Sequence, residues 1–310
     1  MKRLRVLVSL TTIENGYQRE QSIAAQDAAR KLDIDVEIIY ANNDIITQSQ
    51  QLLDVVQTSP ASRPDAIVFE PVSGTGLPRV AEAAVAAGIG WVVLNCDVDY
   101  LEQLRKNLNV PAFAVTRDHL EIGRIQGRQF GALLPQGGSV LYIQGPVTSI
   151  AAKQRTEGME RTKPANISIK SLRGQWTEES AFVAVSSWLK LSTSRPDVVQ
   201  VVGCQHDAMA MGARKAFQQH AQHADRSRWL TLPFTGVDGL PNEGQAWVRD
   251  GTLTATIVAL PNAGLALEML VSAFRKKTIP PERTMSPPIA YPKIEELGNK
   301  KSFRHSGQGR

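Results

Sequence analysis

The chain has little of what usually announces a chemistry. Two cysteines in 310 residues, Cys96 and Cys204, are too few for a disulfide framework. Five histidines, at 119, 206, 220, 223 and 305, stand in no spacing that gathers the three or four ligands of a zinc site, so no metal is expected, and no cofactor. No apolar run is long enough to span a bilayer. The start, "MKRLRVLVSLTTIENG", is basic, but its apolar stretch is short and no A-x-A-like cleavage site follows. Residues 6–10 therefore read as a first strand, and the protein as written is expected to stay where it is made. Positive charge is scarce where it would matter. The formal net charge is +5, yet residues 298–310 hold +4 and residues 1–5 hold +3, which leaves the body at −2. A nucleic-acid groove needs basic residues clustered on the folded surface, so nucleic acid is excluded as a partner. Residues 301–310 read as a solvated basic tail.

What is present is an ordinary globular composition, 42% hydrophobic and 21% charged, at a length suited to two domains. Short β-branched runs alternate with amphipathic stretches along the chain. The runs lie at 5–10, 35–41, 65–71, 91–95, 139–145, 198–203 and 254–260. Helical spacing fills 18–32, 49–56, 77–88, 119–134 and 180–191. Near-continuous apolar strands separated by helices predict α/β structure, with doubly wound parallel sheets. About four units precede residue 111 and about four follow, which favours two lobes over one large sheet. "NVPAFAV" (109–115) reads as a crossover between them, and the proline-rich 278–292 as another connection. The lobes are expected at 1–115 plus 260–290 and at 116–259 plus 291–300. In open α/β sheets ligands bind beyond the carboxyl ends of the strands, so two lobes facing through those ends would enclose a cleft.

The strand-end loops hold the candidate site residues. "PVSGTGLPRVAEAA" (71–84) lacks the third glycine of a dinucleotide fingerprint and the Lys-Ser/Thr of a phosphate loop, and reads as a strand-to-helix turn. "GCQHDAMAMGA" (203–213) offers Cys204, His206 and Asp207, but the spacing is not that of a nucleophile elbow. Asp207 is placed to cap the following helix, and His206 to project toward a ligand. Other strand ends supply Asn15 and Tyr17, Asn95 beside Asp97, Arg155, Trp176 and Asp238. Aromatic faces with fixed amide, carboxylate, imidazole and guanidinium groups suit a small polar solute bound without being altered. Cys96 and Cys204, at strand ends of opposite lobes, read as small buried side chains; a second possibility is that they approach each other across the cleft.

The ordered segments "RPDAIVFEPVSGTGLPRVAEAAVAAGIGWVVLN", "VTRDHLEIGRIQG", "AAKQRTEGME", "HDAMAMGARKAF" and "FTGVDGLPNEGQAWVRDGTLTATIVALPNAGLALEML" resemble the type I periplasmic sugar-binding proteins. These are the ribose- and galactose-type receptors of ABC transporters, whose fold is shared with LacI-family regulator cores. The resemblance runs from about residue 5 to 297. It implies two lobes joined by a three-segment hinge, a monomer, and capture of one monosaccharide, with an ABC permease as partner and the periplasm or cell surface as location. It implies ligand contacts from Asn15, Tyr17, Asn95, Arg155, Trp176, His206 and Asp238. Where the family often has an acid this chain has Asn95; an amide is replaced by His206, a hinge-side glutamine by Ala259, and a second aromatic by Gln18. These exchanges point away from ribose itself. A regulator would need a helix-turn-helix before the first strand, for which the two-lobe accounting leaves no room. A cytoplasmic sensing module of the same fold is the alternative reading. An enzyme built on His206 and Asp207 is the least favoured.

Overall fold

The computed structural model describes residues 3–14, 16–106, 109–191, 198–220 and 223–299. The expected basic tail, 301–310, and Asn15 lie outside them. The chain divides into two compact units, Met1–Arg117 with Thr148–Ile150 and Pro261–Ser286, and Asp118–Val147 with Ala151–Leu260 and Pro287–Arg310.

The first unit begins with β1 (Arg5–Leu10), α1 (Gly16–Leu32), β2 (Asp35–Tyr40), α2 (Ile45–Gln57) and β3 (Ala66–Phe69). It continues with α3 (Pro78–Ala86), β4 (Gly90–Leu94), α4 (Leu101–Arg105) and β5 (Ala112–Arg117). The second unit follows with α5 (His119–Leu133), β6 (Gly138–Gln144), α6 (Ile150–Thr162), β7 (Ile167–Arg173) and α7 (Glu178–Leu189). Then come β8 (Val201–Cys204), α8 (Asp207–His220), α9 (His223–Thr231), β9 (Phe234–Thr235), α10 (Gly244–Arg249) and β10 (Thr256–Val258). The chain returns to the first unit for α11 (Ala263–Lys276) and β11 (Arg283–Ser286), and ends in the second with β12 (Ile289–Tyr291) and α12 (Ile294–Asn299).

The first sheet is parallel throughout, in the order β11-β5-β4-β3-β1-β2. Alternation along β1 shows why its strands are apolar on both sides. Val6, Val8 and Leu10 pack with Ala25, Ala28 and Ala29 of α1 and Leu267 and Leu270 of α11. Leu7 faces the other way, with Leu52 of α2, Val80 and Ala84 of α3 and Leu101 of α4. A sheet covered on both faces needs such runs. The second sheet is also parallel, β7-β6-β8-β9, and β10 pairs antiparallel with β12. Leu141 and Ile143 face α7 and α8, while Val140 and Tyr142 face Phe130 of α5 and Met159 of α6.

The first expected connection is a sheet strand, whereas the second holds two strands and also carries the crossing between the units, which falls between Ser286 and Pro287. "NVPAFAV" contains most of β5, buried along its whole length between β4 and β11. Its extended character belongs to a central strand, and the chain leaves the first unit only after Arg117. The proline-rich stretch holds β11 and β12, with its prolines flanking the strands rather than interrupting them.

Candidate functional site

Each parallel sheet carries a polar cluster at the carboxyl ends of its strands. In the first unit Tyr17 is buried at the start of α1. Asn95, the residue after β4, donates through Nδ2 to the Tyr17 hydroxyl at 2.8 Å and to Glu70 Oε2 at 2.9 Å. Glu70, the residue after β3, also accepts from Gln21 Nε2 at 3.3 Å. Asn262 donates through Nδ2 to Asn95 Oδ1 at 3.0 Å and to the Val115 carbonyl at 2.7 Å, and its own Oδ1 accepts from Gln21 Nε2 at 2.9 Å. Arg117, at the end of β5, lays its guanidinium 3.9 Å from the centre of the Tyr17 ring, within cation–π range. Burial pushes the Glu70 carboxyl above the usual carboxylate range, although Gln18, Arg117, Asn95 and Gln21 all favour its charged form.

In the second unit the structure gathers Arg155, Trp176, His206 and Asp238. The Arg155 guanidinium lies 5.3 Å from the centre of the Trp176 ring, and the His206 ring centre lies 6.3 Å from that of Trp176. Nε2 of His206 stands 2.8 Å from Oδ2 of Asp238, and both residues are buried. Arg155 donates through Nη1 to the Gln205 carbonyl and through Nε to His119 Nδ1 at 3.4 Å. Trp176 packs on Gly145: a Cβ there would lie 2.3 Å from its Cζ2.

The helix after β8 is capped differently from expectation. The helix starts at Asp207, so the cap position belongs to His206, whose Nδ1 accepts the Ala208 N–H at 3.0 Å. The Asp207 carboxylate instead accepts the Gly239 N–H at 2.7 Å and the Thr256 hydroxyl at 2.7 Å. Added Cβ atoms at Gly236 and Gly244 would each come within 2.0 Å of an Asp207 carboxylate oxygen, which explains the glycines of "TGVDGLPNEG". Burial and the nearby Asp238 charge push Asp207 up to about 8.

Backbone strain marks the same residues. Asn95 (φ 54°), Trp176 (φ 65°) and Asp238 (φ 108°) all have positive φ. For a residue as bulky as tryptophan this is a true outlier, costing about 1–3 kcal/mol, and such strain collects at ligand clamps.

The sequence missed Glu70, Gln21, Arg117 and Asn262, as well as Gln205. Glu70 was accessible to the same strand-end argument that found Asn95; Arg117 was hidden by the misreading of β5. The arrangement contains no activated nucleophile. Cys204 is buried and its thiol is pushed well up by burial, and Cys96 is pushed up to about 12 for the same reason first. Among the described residues no three His, Cys, Asp or Glu side chains gather to hold a metal, and no helix is long and apolar enough to cross a membrane.

The family model of the periplasmic binding protein domain matches residues 6–278. The chain belongs to that family. The ribose import binding protein RbsB of Escherichia coli (strain K12) is 26% identical over 262 residues, covering 84% of this chain and 81% of the relative. An ABC transporter periplasmic solute binding protein from Actinobacillus succinogenes 130z, solved with bound D-allose, superposes with a TM-score of 0.79. It is 20% identical and covers 96% of this chain and 100% of that one. The binding component of the arabinose ABC transporter from Shewanella sp. ANA-3, solved with α- and β-L-arabinofuranose, gives a TM-score of 0.78. It is 22% identical and covers 97% of this chain and 95% of that one. As a member of the periplasmic binding protein family, the chain is a solute-binding protein and not an enzyme.

Proposed function

We propose that this periplasmic binding protein captures a monosaccharide or a closely related polyol, as the substrate-binding component of an ABC-type sugar importer. The observation that carries the reading is Trp176. Its indole is held in strained backbone against Gly145, with Arg155, His206 and Asp238 around it. A flat apolar face bordered by fixed donors and acceptors complements a sugar ring, which presents C–H faces and a rim of hydroxyls. Tyr17, Asn95, Glu70 and Arg117 offer a second aromatic and polar set on the first unit. Asn15 joins this set by its place in the sequence after β1. Each cluster holds a carboxyl group and a guanidinium, Glu70 and Arg117 in the first and Asp238 and Arg155 in the second, which favours a neutral ligand. The names of the relatives agree: ribose, D-allose and L-arabinofuranose are their ligands. A permease partner, a monomeric state and a periplasmic location belong to the same reading.

A thermal-shift screen over D-ribose, D-allose, L-arabinose, D-galactose and simple polyols tests it. One compound should raise the melting temperature in a concentration-dependent way, because a ligand that binds only the folded state stabilises by mass action. Trp176→Ala should remove the shift. A panel with no shift, or a shift that survives Trp176→Ala, sinks the assignment.

A further inference from the structure

Gln205 bonds to the end of β6 and to α6, the helix that carries Arg155 of the Trp176 cluster. It follows β8 and is fully buried, and its side-chain oxygen and nitrogen both have partners. Its Oε1 accepts the Gly145 N–H at 2.8 Å. Its Nε2 lies 3.0 Å from the Tyr142 hydroxyl, 3.0 Å from the Ala152 carbonyl and 2.9 Å from Thr156 Oγ1. Its backbone carbonyl receives the Arg155 guanidinium, and its backbone N–H reaches the Ile143 carbonyl at 2.9 Å. One side chain thereby ties the end of β6, the end of β8 and the first turns of α6.

The proton directions around it are fixed. Gln126 spends its Nε2 on the Cys204 carbonyl at 2.9 Å, so its Oε1 must accept from the Tyr142 hydroxyl, 2.7 Å away. Tyr142 can then only accept from Gln205. Thr156 donates to the Ala152 carbonyl at 2.9 Å and so also accepts from Gln205. Position 205 must therefore supply an acceptor and two donor hydrogens in one planar group, which only a primary amide does. Glutamate has the same shape but offers no donor when ionised and only one when protonated.

We infer that Gln205 is a positioning residue for ligand discrimination. It holds Gly145, the surface against which Trp176 rests, and through its carbonyl it aims Arg155. Both act on the ligand directly in the function proposed above, and the inference rests on that reading. A buried network of mutually dependent hydrogen bonds holds its members in place, and losing one donor loosens its neighbours.

The test labels the full chain with 5-fluorotryptophan, giving one fluorine signal for each of its five tryptophans. Trp176 is assigned by its loss in Trp176→Phe, and Trp188 and Trp229, packed together in the core of the same unit, serve as internal controls. Gln205→Glu should shift or broaden the Trp176 signal while those of Trp188 and Trp229 stay in place. For whichever sugar of the panel binds, affinity should fall at least about tenfold, the scale expected when a buried hydrogen-bond partner is removed. An unmoved Trp176 signal, or core signals that move with it, overturns the inference. If Gln205→Glu does not fold, Thr156→Val removes one acceptor and should move the Trp176 signal in the same way; no movement there has the same overturning force. If no sugar binds the parent protein, the proposed function fails while the fluorine spectrum still decides the role of Gln205.

Discussion

His206 uses both ring nitrogens on structure: Nδ1 caps α8 at Ala208, and Nε2 stands 2.8 Å from the Asp238 carboxylate. The cap requires a bare Nδ1, which leaves the neutral ring its hydrogen on Nε2, facing Asp238. His206→Ala should therefore lose both the cap and the buried carboxylate's neighbour, about 1–3 kcal/mol together. Asparagine is a good cap residue, and His206→Asn should regain about 1 kcal/mol of that. Urea unfolding midpoints measure both. Equal losses would show that Nδ1 contributes nothing to the helix.

Asp207 predicts how stability responds to pH. Burial, then the Asp238 charge, raises it from 3.8 to about 8 in the folded chain. For His206 burial pulls downward, but the charge and hydrogen bond of Asp238, and then Asp207, win and raise it. Both groups hold their protons more tightly folded than unfolded. The folded chain thus binds more protons across the window from about pH 4 to about pH 8, and stability falls as pH rises through it. Asp207→Asn keeps an acceptor for Gly239 and gains a donor for Thr256. The variant should match the parent within about 1 kcal/mol at pH 4 and exceed it at pH 8. Thermal melts at the two pH values give the comparison, and a parent that is equally stable relative to the variant at both refutes the assignment.

The surroundings of Asn95 show why an amide suits this position. Glu70 already supplies the carboxylate, 2.9 Å from Asn95 Nδ2. Asn95→Asp would set two carboxyl groups side by side, and they could not both ionise. One would keep its proton to a higher pH, so the destabilisation, about 1–3 kcal/mol at pH 8, should shrink as pH falls toward 5. Glu70→Gln in the same chain should restore stability at pH 8. A penalty independent of pH, or one that Glu70→Gln does not relieve, removes the Asn95–Glu70 pairing from the account.

The fold was legible because periodicity and burial agree along most strands, as in β1 and β8. β7 escaped notice because it is the edge strand of its sheet. Only Ile167 is buried along it, and Lys170 and Arg173 stand where a central strand would be apolar. Trp176, His206 and Asp238 were found because each sits alone at a strand end. The Glu70–Asn95–Asn262–Gln21 ring was not, because its hydrogen bonds join residues as far apart as 241 positions, and only the sheet order brings them together. The cap at α8 was missed by one residue. Asp207 is the better cap by type, but the glycines at 236 and 244 turn its carboxylate toward Gly239.

Gly145 separates shape from hydrogen bonding at the Trp176 cluster. Its φ is not in the left-handed region, so alanine suits the backbone, and its N–H could still donate to Gln205. The added methyl, however, would meet Trp176 Cζ2 at 2.3 Å and Cη2 at 2.4 Å. The indole has to move away, at an overpacking cost of about 1–3 kcal/mol. Gly145→Ala should therefore weaken sugar binding and destabilise the parent protein, but cost little stability once Trp176 is already alanine. A double-mutant cycle on unfolding free energies isolates that coupling. If Gly145→Ala costs the same stability in both backgrounds, the glycine does not act through the indole it supports.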